Sequence, residues 1–132
     1  MSAFADEALK DFGGLEGLQN LVLEFYQQLN RDLMIGFLFR PFPIEKLVDG
    51  QVEYVRRLFG DHSGTYPLRS LKEVHQALRI NAGQFDRRQK ILVDLLRTRK
   101  IPEAASNRWL QADHRLKAAI LYQNATKPPA AT

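Results

Sequence analysis

The sequence predicts an all-α domain of about six helices joined by short links. Three observations carry that prediction. Apolar residues recur at the three-to-four-residue helical spacing through nearly the whole chain. No segment alternates as a half-buried strand would, and proline and glycine fall where they separate helices. The length of 132 residues fits one domain, and a chain 45% hydrophobic and 26% charged can bury a core without staples.

A short first helix is expected over residues 3–11, ended by the corner Gly13-Gly14. Leu15, Leu18, Val22, Phe25, Tyr26 and Leu29 then share one face of a helix running to Asn30. The next stretch, IGFLFRPFP, is aromatic, and Pro41 and Pro43 forbid a continuous helix there. Proline suits a first turn, so a third helix starts at Pro43 and ends at Gly60. GDHSGTYP is a loop by composition. A shorter helix covers 68–77, Asn81-Ala82-Gly83 is a turn, and a fifth helix covers 84–99. Pro102 opens the sixth, with Trp109, Leu116 and Ile120 on its inner side. The domain spans 1–126, and 127–132 form a flexible tail.

Composition excludes several chemistries. Without cysteine there is no disulfide, thiol nucleophile or Cys-based zinc site. There is no P-loop, GxGxxG or GxSxG, and the three histidines make no HExxH. By periodicity the acidic residues mostly face solvent, so no carboxylate pair stands out for acid–base work. The net charge of +4 comes in scattered pairs such as Arg56-Arg57 and Arg87-Arg88, with acids between. No aromatics interleave with them, so they read as solvated faces and no nucleic-acid partner is expected. The acidic opening MSAFADEALKDFGG is no secretory signal, and no segment has the ~18–20 apolar residues of a span. The expectation is a cytoplasmic protein with no membrane partner.

Two polar residues break the pattern of apolar faces. In the third helix Gln51 sits among Leu47, Tyr54, Val55 and Leu58, and a buried amide needs a partner. Tyr26, at the edge of the second helix's apolar face, offers one. The pair reads equally well as a packing hydrogen bond or as two donors aimed at a small ligand. His75 shares a face with Leu71 and Leu78, with Ile80 and Phe85 following. It reads as a packed core histidine or as a haem-iron ligand, which needs an apolar wall. His62 and His114 lie in polar surroundings and read as solvated.

Gly13-Gly14, Phe25-Tyr26, Phe39, Gln51, Tyr66 with Arg69, His75 and Phe85-Asp86 come in an order and spacing that resembles the truncated haemoglobins, closest to group I. The resemblance runs from about Phe12 to Pro102. It implies a globin-like two-over-two helical sandwich around haem b. It makes His75 the iron ligand, Tyr26 and Gln51 the distal donors, and Phe39 the aromatic on the haem face. Leu47, one turn before Gln51, is a distal position. Tyr54, Val55, Leu71, Leu78, Ile80 and Phe85 become haem-wall positions, and Arg69 a propionate partner.

The chain departs from the family pattern at four places. Gly60-Asp61 replaces a Gly-Gly, Leu68 replaces the glycine of Tyr-x-Gly-Arg, and Gly50 stands where a basic residue is common. Arg88 falls where an apolar residue usually faces the haem. It would need an acid to pair with, or the register shifts and Ile91 or Leu92 fills the site.

What the resemblance implies is a monomer or weak dimer binding O2, NO or CO, and conversion of NO to nitrate with an external reductase. An oxygen carrier, a gas or redox sensor, and a haem-free interaction module are the alternatives.

Overall fold

The computed structural model describes residues 7–64 and 80–125, the last eight of these as backbone only. These residues form a 3-10 turn, Lys10–Phe12, and five α-helices: α1 (Gly14–Arg31), α2 (Gly36–Phe39), α3 (Ile44–Leu58), α4 (Ala82–Thr98) and α5 (Glu103–Ala125). The fold is all-α, with no strand among the described residues. No described helix is long and apolar enough to cross a membrane.

Part of the expected first helix lies outside the described residues. Its end is a 3-10 turn that tucks Phe12 into the core and closes with the Gly13 N–H on the Lys10 carbonyl. Helix α1 follows the predicted face, burying Leu18, Leu21, Val22, Phe25, Tyr26 and Leu29. Asp32, extended at ψ 131°, stops it. Only the four-residue α2 forms in the proline-broken stretch.

Helix α3 starts one residue later than expected, because Pro43 is extended at ψ 127° and caps the helix instead of joining it. It ends before Gly60. There the Asp61 N–H reaches the Arg56 carbonyl at 2.8 Å and the Gly60 N–H reaches Arg57 at 3.1 Å. That double closure requires a left-handed residue between, and Gly60 takes φ +90° without a Cβ clash. The same closure ends α4, with Ile101 N–H on Leu96 and Lys100 N–H on Arg97, but here Lys100 occupies the left-handed position at φ 58°.

The turn expected at Asn81-Ala82-Gly83 is instead the first turn of α4. The Asn81 side chain accepts from the Gln84 N–H, and the Gln84 side chain accepts from the Asn81 N–H. This reciprocal cap satisfies two end donors and outweighs the helix cost of Gly83. In α5 Trp109 is inward as predicted, joined by Ala105, Ala112 and Asp113, whereas Leu116 is only half-buried.

Helix α1 is the hub. It packs against α2, α3, α4 and the 3-10 turn, while α5 lies on α4 and touches α3. One apolar core runs through all of them, with Phe25, Phe39, Leu92 and Trp109 shut off from solvent.

Candidate functional site

The expected site residues divide cleanly. Tyr26, Phe39, Leu47, Val55, Ile80 and Phe85 lie buried in the one core, and Tyr54 packs half-buried against it. Arg69, Leu71, His75 and Leu78 lie outside the described residues, as do Tyr66 and Leu68.

Tyr26 is held by rings on two sides. Its centroid is 5.4 Å from that of Phe25, its neighbour on α1, and 6.1 Å from that of Phe39 on α2. Burial pushes the Tyr26 hydroxyl above its ordinary pKa, against the opposing pull of the nearby Arg88 charge. The phenol is therefore a neutral donor throughout the physiological range. From α3, Gln51 is 3% exposed, flanked one turn either way by buried Leu47 and Val55. Among the described residues its Nε2 has no hydrogen-bond partner. The packing hydrogen bond from this amide to Tyr26, weighed from the sequence, is therefore not made. An unpaired buried amide costs about 1–3 kcal/mol, so Gln51 is a donor held without compensation.

Arg88 does not leave the core. Ile91 and Leu92 are also buried, but no shift of register carries the arginine outward. Its Nη1 donates to Asp113 Oδ2 at 3.0 Å, and both residues are buried. Nη1 also donates to the Gln89 side chain. The guanidinium lies 5.0 Å over the Phe25 ring and 5.8 Å from that of Phe85, which recovers some of its lost hydration. Tyr54 meets the same pair from α3, where burial first and then the Asp113 carboxylate push its hydroxyl far above the ordinary range. The required acid is thus supplied by α5, and four helices converge on Tyr26, Tyr54, Arg88 and Asp113.

Asp113 was missed by sequence reasoning. Its signal was present: it stands four residues after Trp109 and eight after Ala105, on the buried stripe of α5. His114, next to it, is exposed, and so is His62.

Acids were expected mostly to face solvent, and three described ones do not. Glu53, Asp61 and Asp113 are 2%, 0% and 1% exposed, and each is buried because an arginine meets it. Arg57 Nε donates to Glu53 at 2.9 Å, and Arg56 Nε donates to Asp61 at 2.7 Å. Asp61 also accepts from the Ser63 hydroxyl at 2.6 Å. Burial raises the Asp61 carboxyl, but hydrogen bonds from Arg56 and Ser63 outweigh it and hold the group below the usual carboxylate range. Asp61 thus locks the end of α3 to the chain leading out of it.

No family model matches this chain, and no match was found among the curated proteins or the solved structures.

Proposed function

We propose that this chain is a haem protein of the truncated-globin type, its helices forming a two-over-two sandwich, and that it binds O2, NO or CO. One observation carries the reading: Gln51 holds a buried, unpartnered amide donor in an apolar wall, on the helix that packs against the one bearing buried Tyr26.

The described residues fit a b-type haem. Phe39, Leu47, Val55, Ile80 and Phe85 supply apolar surface that excludes water, and Gln51 supplies a donor with no bond of its own to break. By resemblance, His75 would hold the iron and Arg69 a propionate. When bound, the haem supplies an open coordination position at which a diatomic gas gains partial negative charge.

The chain's own contribution is electrostatic. The Tyr26 hydroxyl and Gln51 Nε2 are fixed donors in a dry interior, where they act more strongly than in water and need no reorganisation. With haem bound, they would donate hydrogen bonds to a diatomic ligand beside them and slow its release. The sequence has no flavin or nicotinamide signature, so turnover of NO to nitrate takes its electrons from an external reductase. The cytoplasm and a monomer or weak dimer complete the proposal.

The test is the oxygen release rate of the haem-loaded protein. Tyr26→Phe and Gln51→Leu should each raise it about tenfold, the equivalent of one hydrogen bond of about 1.4 kcal/mol. Unchanged rates would remove both residues from the role. Mixing the oxy form with NO separates enzyme from carrier or sensor: fast, complete oxidation supports turnover, and slow, partial oxidation supports the latter.

A haem-free interaction module is the second reading. It is favoured by the Arg88–Asp113 pair, which sits where the family pattern puts an apolar haem contact. A folded chain that stays colourless with haemin would select it.

A further inference from the structure

Of the four large hydrophobics exposed among the described residues, three lie together at the corner between α1 and α2. Leu33 is 100% exposed, Met34 68% and Phe37 53%. The three fall within five positions of one another, Leu33 and Met34 in the turn and Phe37 in the first turn of α2, and make an apolar tip at this corner.

The tip is held, not frayed. Asp32 Oδ2 accepts from the backbone of Met34 at 3.0 Å and Ile35 at 3.1 Å, and Asp32 Oδ1 accepts from Arg87 Nη2 at 2.7 Å. Ile35, 1% exposed, anchors the corner in the core. Gly36 lets the chain press against the end of α1, where a Cβ would lie 2.7 Å from the Asn30 carbonyl. Arg40 donates to that same carbonyl at 2.8 Å. A rigid turn that presents three apolar side chains to water is costly unless something covers them.

The charge around the tip says what. Exposed Arg31 and Arg40 bracket it in sequence, the only acid within the turn is neutralised by Arg87, and the whole chain carries +4. Three side chains also fall well short of the ~800 Å² per partner of a standard protein interface. A projecting apolar tip with basic flanks instead matches an anionic lipid surface, where the side chains enter the headgroup boundary and the arginines meet phosphates.

We propose that the Leu33-Met34-Phe37 tip, with Arg31 and Arg40, docks this protein reversibly on anionic membranes. That no described helix can cross a membrane concerns crossing, not surface contact, so this docking revises the sequence expectation of no membrane partner. It stands independently of the haem reading.

The test is flotation of the full chain with vesicles of phosphatidylcholine alone and of phosphatidylcholine containing about one-third phosphatidylglycerol. Binding should favour the anionic vesicles and weaken with added salt. The triple variant Leu33→Ser/Met34→Ser/Phe37→Ser keeps the net charge and should lose binding about tenfold; Leu33→Ser alone should lose a few-fold. Circular dichroism shows whether each variant is folded. No binding by the native chain to anionic vesicles would overturn the proposal. So would full binding by the folded triple variant. If the native chain self-associates in sedimentation and the triple variant does not, with vesicle binding unchanged, the tip is a contact between copies and the lipid proposal fails.

Discussion

The buried pair Arg88–Asp113 makes the sharpest prediction about this fold. Arg88 is 7% exposed and Asp113 1%, with nitrogen and oxygen 3.0 Å apart, so each charge depends on the other for what water no longer supplies. Removing one partner strands the other. Asp113→Asn or Arg88→Leu should therefore cost about 3–5 kcal/mol, a large share of the ~5–15 kcal/mol that holds a domain together. Replacing both with leucine removes the stranded charge as well as the bond, and should recover most of that loss. Equilibrium urea unfolding is the assay, read by the single tryptophan, Trp109, which is fully buried in the same helix as Asp113. With a slope of about 1–3 kcal/mol per molar, each single variant should move the midpoint by roughly 2 M. Single variants within 1 kcal/mol of the native chain, by the scale of an exposed pair, would refute the reasoning. So would a double variant as unstable as either single one, because the cost would then lie in shape and not in charge.

Three further predictions follow from particular positions. Lys100→Gly relieves a left-handed backbone at φ 58° and should raise stability by about 1 kcal/mol, measured in the same unfolding assay. Asp61 has its carboxyl held below the unfolded value, so its stabilisation is present above about pH 4 and lost as pH falls through the depressed value. Asp61→Asn should therefore be less stable at neutral pH and show a flatter loss of stability below pH 4 in an acid titration followed by circular dichroism. Gln51→Leu removes an unpaired buried amide and should stabilise the haem-free chain by about 1–3 kcal/mol, even as it weakens the hold on an oxygen ligand. A destabilised Gln51→Leu would mean the amide has a partner after all.

The helices that could be read from the sequence are those whose signal is local. The faces of α1 and α3 were legible because their apolar residues repeat at the helical period, and Pro41 and Pro43 marked the break between them. The start of α4 was not legible because Gly83 argues for a turn, while the reciprocal Asn81–Gln84 cap that overrides it is a four-residue pattern carried by only two side chains. Buried charge was harder. Arg88 is inside only because Asp113, 25 residues on, comes to it across two helices. Asp61 and Glu53 are inside because arginines on α3 reach them. Periodicity assigns a carboxylate to solvent by its own cost, and cannot see a partner that tertiary packing will bring. The same limit applies to Leu33 and Met34, whose exposure depends on how Asp32 turns the chain.

Within the candidate site, helical periodicity was enough to place Tyr26, Leu47, Gln51 and Val55 on inward faces, and all four are buried. What it left open was whether Gln51 would spend its amide on Tyr26. The unpartnered Nε2 turns that question toward a ligand.

The most direct test of the haem proposal is an absorption titration of the purified chain with haemin, beside His75→Ala. A sharp Soret band should saturate at one haem per chain and be lost or displaced in His75→Ala. A folded native chain with no Soret band, or a band unchanged in His75→Ala, would contradict it.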